Sequence, residues 1–234
     1  MFVAFRPGQE RLTIAQVAKA TGLTRAGARR ILLTLEHLGY VASEKRLFFL
    51  TSQVLNLVAG YSAQPIWEKT RKVLQSVAEK LNETVSAGIL DGTEVVYTVR
   101  IRSAHLLHLD LKEGARLPAH ASSMGRVLLA ALPAGSLERF FRTAELMRHT
   151  AATVTDPDVL RKRVEEVRKQ GWCAVHGEIE DGHSGVSVPL VDASGKTIAA
   201  LNVGLRSTRA TPQMISKTIV PMLREAAQSI AASL

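Results

Sequence analysis

Residues 12–50 constrain the fold of this chain more strongly than any other stretch. Thr13 precedes Gln16 by three positions, which is the spacing of a capping box and predicts that a helix begins there. Gly22 ends that helix, because glycine adopts a positive φ at little cost. Thr24 is then positioned to cap a second helix. The apolar side chains of this second helix repeat at helical spacing and form its predicted buried face: Ala28, Ile31, Leu32, Leu35 and Leu38.

Basic side chains stand off that apolar face, and a basic hairpin follows the second helix. Two short apolar runs, residues 40–42 and 47–50, flank a polar turn over residues 43–46. Two helices followed by such a hairpin form a winged helix-turn-helix, in which the second helix enters the major groove and the wing reaches phosphates or the minor groove. An ordinary helical hairpin with solvated arginines is the alternative, but the basic hairpin favours DNA binding. The predicted DNA contacts are Thr24, Arg25, Ala26, Arg29, Arg30, Lys45 and Arg46.

The net charge of the chain is +9, and the positive excess is denser near the N-terminus. Residues 1–60 hold eight basic against three acidic side chains, whereas residues 61–234 hold 22 against 18. This distribution suits a DNA-binding head, although a generally basic protein would also carry such a charge. A single cysteine, Cys173, excludes an internal disulfide framework and fits a reducing compartment. The sequence has neither a membrane-spanning apolar run nor the start of a signal peptide, so a cytoplasmic location is predicted.

The sequence pattern divides the chain near residue 60. Thr51 is positioned to cap a helix that carries Val54 and Leu55, and residues 60–64 break the helical pattern before Pro65 opens another helix. We therefore predict a winged helix-turn-helix domain over residues 1–60 and a second domain over residues 61–234.

The second domain combines strand and helix patterns. Strands are predicted over residues 84–90, 94–102, 105–111, 172–176, 184–191 and 196–205, with Asp91-Gly92 forming a hairpin turn. Helices are predicted over residues 65–82, 122–132, 136–142 and 156–170, and a last helix beginning at Thr211-Pro212 is predicted to kink at Pro221. This order indicates an antiparallel sheet with helices packed on it, an α+β domain.

Two stretches resemble one protein family. The first, LTIAQVAKATGLTRAGARRILLTLEHLGYV at residues 12–41, resembles the DNA-binding domain of IclR-type bacterial transcription regulators, and the second, GARLPAHASSMGRVLLA at residues 114–130, is similar to the effector domain of that family. The resemblance implies a GAF-like effector domain. Relatives have a full helix where this chain has the apolar residues 1–5, so either the start of the chain is truncated or the winged helix is built on a shortened first helix. Because one winged helix offers a small interface and operators are usually read by symmetric pairs, we also predict a homo-oligomer, a dimer or a dimer of dimers. The run SSMGRVLLA is most similar to the branch that regulates breakdown of aromatic acids such as protocatechuate and 4-hydroxybenzoate.

The resemblance also implies where an effector binds. In the family, a strand near residues 106–109, the loop and helix start at residues 120–126, and a late hairpin converge on a pocket. The N–H groups at the start of the Ser123 helix lack helical partners and lie at the positive end of the helix dipole, so a small carboxylate is the predicted ligand. The late loop keeps two acidic residues before a glycine but departs from the family pattern at His183-Ser184-Gly185. The predicted effector contacts are Leu106, Leu109, His120, Ser123, Met124, Arg126, Gly185, Asn202 and Gly204.

Cys173, His176 and His183 are the residues that best suggest a metal site or a Cys-His nucleophile pair. Residues three apart on a strand point to opposite faces, which argues against a shared ligand for Cys173 and His176. Zinc-finger spacing, a Gly-rich phosphate loop and a serine elbow are absent from the sequence. We therefore predict no catalytic residue, metal or cofactor, and interpret the chain as a regulator that binds operator DNA and a small carboxylate. The open alternatives are a small-molecule enzyme with an accessory DNA-binding head and a non-specific nucleic-acid-binding protein.

Overall fold

A computed structural model of the chain describes residues 1–6, 8–103 and 111–232. The chain forms two compact units, Met1–Gln64 and Pro65–Leu234. This division falls at the end of the boundary region predicted over residues 60–64, because the helix Val54–Ser62 continues through Gly60 before Pro65 opens the next helix. A glycine inside a helix costs only about 1 kcal/mol relative to alanine, which the other residues of a helix can offset. No helix among the described residues is both long and apolar enough to span a lipid bilayer.

Helices and a hairpin make up the N-terminal unit: a 3₁₀ turn at Phe2–Ala4, α1 (Ile14–Thr21), α2 (Arg25–His37), β1 (Val41–Glu44), β2 (Leu47–Leu50) and α3 (Val54–Ser62). The predicted capping box is confirmed, because the Gln16 N–H donates to Thr13 Oγ1 at 3.3 Å and the Gln16 side chain accepts the Thr13 N–H at 2.8 Å. Thr24 caps α2 by accepting the Gly27 N–H at 3.1 Å. Gly22 ends α1 with a φ of +68°. Local residues therefore fix both ends of the turn between α1 and α2.

The buried face of α2 is narrower than the sequence pattern predicts. Ala28 and Leu32 are fully buried with Leu35 partly buried beside them, whereas Ile31 and Leu38 are 37% and 55% exposed. At 100° per residue, Ile31 and Leu38 lie roughly 60–80° around the helix from Ala28. That angle puts them beside, rather than within, the stripe that α1 and β1 cover.

The second unit is an antiparallel sheet with helices on both of its faces, which confirms the predicted α+β class. Its strands are β3 (Thr84–Asp91), β4 (Glu94–Ile101), β5 (Arg116–Pro118), β6 (Cys173–His176), β7 (His183–Val191) and β8 (Thr197–Arg206), in the order β5-β4-β3-β8-β7-β6. Its helices are α4 (Pro65–Leu81), α5 (Ser123–Ala130), α6 (Ala134–Thr143), α7 (Pro157–Gln170), α8 (Pro212–Met214) and α9 (Val220–Ala231). The short strand β5 and a 3₁₀ turn at Ala119–Ala121 are additions to the prediction. The strand predicted over residues 105–111 falls almost wholly outside the described residues.

The two faces of the sheet differ in chemistry, because successive side chains of a strand point to opposite sides. One face is apolar and packs against α4 and α9; its members include Val85, Ala87, Val99, Val186, Val188, Leu201 and Val203. The other face lies under α5 and α7 and carries Ser86, Gly88, Tyr97, Ser187, Ala200 and Asn202. A buried sheet face with polar side chains and glycines needs specific partners, and α5 supplies them.

The start of α3 differs from the prediction, and the start of α9 shows a feature that the prediction does not include. Thr51 does not cap α3; its hydroxyl accepts the Gln53 N–H at 3.2 Å, and Gln53 is the residue that precedes the helix. The sequence predicts a kink of the last helix at Pro221, and a π-helical turn at Ile215–Ile219 lies just before this proline, between α8 and α9. Proline has no N–H to donate to the carbonyl four residues earlier, and a wider turn just before it accommodates that missing bond.

The approach of α5 to the 3₁₀ turn before it gives the first prediction. A Cβ atom at Gly125 would overlap the backbone carbonyl of Ala119, whereas a Cβ atom at Gly135 in α6 would meet no atom. Because backbone cannot move aside as a flexible side chain can, we expect Gly125→Ala to lower the free energy of unfolding by about 3 kcal/mol or more. The matched Gly135→Ala variant should be unchanged or more stable by up to about 1 kcal/mol. Urea denaturation measures both, and equal stabilities of the two variants would contradict this packing.

Candidate DNA interface and effector pocket

The predicted DNA contacts on α2 lie on its exposed side. Thr24, Arg25, Ala26, Arg29 and Arg30 are all exposed. The three arginines form no ion pair with any residue in the part of the chain that the structure describes. Cations that no carboxylate neutralises are available to phosphates and to base edges, as a recognition helix requires.

The wing presents its basic tip at some cost to the backbone. Lys45 and Arg46 form a two-residue turn with φ of +50° and +67°. Such a turn favours Asn-Gly, so two long basic side chains at these positions indicate a role for their charge rather than for turn stability. The base of the wing is tied to α2, since Ser43 Oγ donates to Glu36 Oε1 at 2.6 Å.

A cavity of about 40 Å³ lies between α5 and the polar face of the sheet. Four of the predicted effector contacts line it, namely Ser123, Met124, Gly185 and Asn202. Its other lining residues are Tyr97, Leu117, Ala121, Ser122, Val175, Glu178, Ile179 and His183. Leu106 and Leu109, the other predicted apolar contacts, lie outside the described residues.

The first turn of α5 supplies hydrogen-bond donors at one end of the cavity. Ser122 caps the helix by accepting the Gly125 N–H at 3.1 Å. The N–H groups of Ser123 and Met124 precede the helical hydrogen-bond ladder, which begins with the Arg126 N–H donating to the Ser122 carbonyl. Backbone N–H groups at the positive end of a helix dipole favour an anion, so this end of the cavity suits a carboxylate.

A closed group of polar side chains joins α5 to the sheet. Ser123 Oγ lies 2.8 Å from Ser187 Oγ, and both hydroxyls donate to Asn202 Oδ1 at 3.0 Å. Ser187 and Asn202 are direct cross-strand partners on β7 and β8. Within the described residues the NH₂ group of Asn202 has no acceptor at hydrogen-bond distance, so it is available to a ligand.

Two paired glycines lie at the cavity, and only Gly185 is among its lining residues. Gly185 on β7 pairs with Gly204 on β8. A Cβ atom at Gly185 would lie 2.7 Å from Ser123 Oγ, and one at Gly204 would lie 3.3 Å from Cε1 of His183. Gly204 is therefore not a lining residue as predicted; its missing side chain leaves room for the imidazole of His183.

Arg126 and His120, two of the predicted effector contacts, are not among the residues that line the cavity. The buried Arg126 side chain donates from Nε to the His120 carbonyl at 2.9 Å and pairs with Glu178 at 2.6 Å. Glu178 also accepts the Val154 N–H at 3.0 Å. His120 Nε2 lies 3.0 Å from the Met147 carbonyl, and burial lowers the pKa of this histidine. Helical spacing cannot reveal this pairing, because Glu178 lies 52 positions after Arg126.

The sequence prediction missed Tyr97 and His183 as lining residues. Burial raises the pKa of Tyr97 to about 12, so its phenol is neutral at physiological pH. Burial, with a smaller contribution from the Arg100 guanidinium, lowers the pKa of His183 to about 4, so its imidazole is also neutral. The departure from the family pattern at His183 was the available signal, but the pattern alone did not reveal that the ring faces a cavity.

A basic winged helix and a second unit with a partly polar pocket are the combination found in DNA-binding regulators whose second domain binds a small molecule. Residues 2–45 match the IclR helix-turn-helix domain, and residues 59–232 match the C-terminal domain of bacterial IclR transcriptional regulators. The chain belongs to the IclR family of bacterial transcriptional regulators.

Several relatives match almost the whole chain. It is 37% identical over 229 residues to the Pca regulon regulatory protein of Pseudomonas putida, covering 97% of this chain and 79% of that protein. It is 34% identical over 237 residues to the p-hydroxybenzoate hydroxylase transcriptional activator of Acinetobacter baylyi, covering 97% of this chain and 86% of that protein. A solved structure of an IclR homologue from Microbacterium hydrocarbonoxydans, complexed with 4-hydroxybenzoate, is similar with a TM-score of 0.81 and 25% identity, covering 100% of this chain and 95% of that one.

The buried pair of Arg126 and Glu178 gives the second prediction. Glu178→Gln leaves the Arg126 charge buried without a counter-charge, which typically costs about 3–5 kcal/mol. Glu165→Gln removes the exposed partner of Arg168 on α7 and should cost less than about 1 kcal/mol. Urea denaturation of both variants measures the difference, and a similar small loss for each would mean that the buried pair does not hold α5 in place.

Proposed function

We propose that this regulator senses an aromatic carboxylate in the cavity beneath α5 and changes its affinity for operator DNA in response. The observation that carries the proposal is the first turn of α5, whose N–H groups open onto a cavity with apolar and aromatic walls. Two relatives named for the Pca regulon and for p-hydroxybenzoate hydroxylase, and the similar structure with bound 4-hydroxybenzoate, support the choice of ligand class.

The cavity offers a carboxylate and a ring different surroundings. The carboxylate would accept the N–H groups of Ser123 and Met124, and the ring would pack against Leu117, Val175 and Ile179. A cavity of 40 Å³ is smaller than the roughly 150 Å³ that accepts a benzene molecule. Side chains must therefore move when a ring enters, and Met124 is suited to this because methionine is unbranched and flexible. A ligand that requires a rearranged pocket prefers one state of the protein, as an effector must.

The same proposal assigns DNA contacts to α2 and to the wing. Arg25, at the first position of α2, would read base edges in the major groove, and Lys45 and Arg46 would contact phosphates. Operators of such proteins are read by symmetric pairs, so we include a homo-oligomer, a dimer or a dimer of dimers, acting on DNA in the cytoplasm. The exposed side chains of Leu55, Leu57, Val58 and Tyr61 on α3 support an apolar contact between copies.

Binding without turnover is part of the proposal. The Ser123 hydroxyl contacts Ser187 and Asn202, neither of which can act as a general base. Burial raises the pKa of the Cys173 thiol to about 12, which keeps it from becoming a nucleophilic thiolate. The pocket therefore supports a binding role, with no cofactor.

Operator titrations test the proposed function directly. Operator DNA is first selected from a random-sequence pool by its binding to the full chain, and is then titrated with and without benzoate, 3-hydroxybenzoate, 4-hydroxybenzoate and 3,4-dihydroxybenzoate. We expect at least one acid to raise the melting temperature and to change operator affinity by about 5–150-fold. If no acid does either, the proposal is wrong. Binding without sequence preference would instead favour a non-specific nucleic-acid-binding protein, and turnover of a small molecule would favour an enzyme.

Substitutions in the DNA interface give a further prediction. Arg25→Ala should weaken binding to the selected operator by about 1–3 kcal/mol and relax specificity at one position. Lys45→Ala should weaken binding to operator and random DNA alike and reduce the salt slope by about 1. Light scattering of the wild-type complex should find an even number of chains on each operator. An unchanged ratio of operator to random-DNA affinity in Arg25→Ala would contradict the assignment.

A further inference from the structure

His183 occupies a defined place in the cavity that no effector contact predicted from the sequence includes. It opens β7, and its backbone is fixed because its N–H donates to the Glu180 carbonyl at 3.2 Å and its carbonyl accepts the Gly177 N–H at 2.7 Å. Its imidazole lies over Gly204, where Cε1 and Nε2 are 3.3 Å and 3.5 Å from the position that a Cβ atom would take. The glycine thus leaves the ring just enough room.

The imidazole of His183 has hydrogen-bonding capacity that the protein leaves unused. Within the described residues its ring nitrogens form no hydrogen bond, and the ring lines the cavity. Burial keeps it neutral, since the pKa is lowered to about 4. A neutral imidazole carries one N–H donor and one acceptor nitrogen, which matches a hydroxyl group that can also do both.

The paired glycines fix how far His183 lies from the anion-binding end. The Ser123 hydroxyl stands over Gly185, and the imidazole stands over Gly204, its direct partner on the neighbouring strand. Cross-strand partners are separated by roughly 5 Å. A carboxylate at the start of α5 and a substituent at His183 would therefore be separated by about the width of an aromatic ring.

We propose that His183 is a specificity-determining residue that hydrogen-bonds a ring hydroxyl of the effector, so that the pocket selects hydroxybenzoates over benzoate. This inference rests on the proposed function. A ring without a hydroxyl would bury the imidazole N–H and its acceptor nitrogen without partners, and sites built to bind a hydroxyl reject analogues that lack it.

Calorimetric titrations of the full chain test this inference with benzoate and its 3-hydroxy, 4-hydroxy and 3,4-dihydroxy derivatives. In the wild type, we expect the best hydroxybenzoate to bind at least about tenfold more tightly than benzoate. In His183→Phe, which keeps a ring but has no nitrogen, the preference should fall below about threefold, and benzoate should bind more tightly than to the wild type because no imidazole nitrogen is left without a partner. Urea denaturation of His183→Phe and of the wild type controls for folding.

Two further variants separate hydrogen bonding from packing. His183→Gln retains a donor and an acceptor and should keep part of the hydroxyl preference. Gly204→Ala retains His183 but must displace the imidazole, because the alanine Cβ atom would lie 3.3 Å from Cε1 of His183. This variant should reduce the preference for hydroxybenzoates without abolishing benzoate binding.

Three other outcomes of these titrations would contradict the role of His183 or the proposed function. If His183→Phe weakens benzoate and hydroxybenzoates equally, His183 contributes only packing and the inference fails while the proposed function stands. If the wild type binds benzoate as tightly as every hydroxybenzoate, the pocket does not read a hydroxyl and the inference also fails. If the wild type binds none of the four acids, the proposed function fails, and this inference fails with it.

Discussion

The placement of α5 on the polar face of the sheet is the constraint on which the effector domain depends. Gly125 lets the helix approach the backbone of Ala119 more closely than any Cβ atom would allow, and the Ser123 hydroxyl donates to Asn202 on β8 and contacts Ser187 on β7. These contacts aim the first turn of α5 into the cavity. A sheet face that carries serine, asparagine and glycine would be costly to bury without such partners, because buried polar groups need hydrogen bonds.

Of the groups around the cavity, the positive end of the α5 helix dipole is the one that would attract an anion. Arg126, the cation of α5, is paired with Glu178 and is not a lining residue of the cavity. The phenol of Tyr97 and the imidazole of His183 are kept neutral by burial. The N–H groups at the start of α5 then remain at this cavity as the positive end of a helix dipole. Arg126, which the sequence predicts as an effector contact, ties α5 to the His120 carbonyl and to Glu178 in this structure.

Features set by neighbouring residues could be predicted from the sequence, whereas features set by distant residues could not. The caps at Thr13 and Thr24, the wing and the antiparallel sheet follow from local spacing and are confirmed. The pairing of Arg126 with Glu178 and the space that Gly204 leaves for His183 arise only when separate strands and helices meet. The exposure of Ile31 has the same origin, since the width of a buried stripe depends on which elements cover it.

The proposed function requires that the pocket beneath α5 and the DNA interface be energetically coupled. Coupling is reciprocal, so an effector that changes operator affinity by some factor must have its own affinity changed by the same factor when operator is bound. Calorimetric titration of the most effective benzoate into the free protein and into the operator-saturated protein measures this directly. If the pocket and the DNA interface are coupled, the two effector affinities should differ by the same factor as the operator affinities measured with and without effector. Equal effector affinities in the two titrations would contradict this coupling.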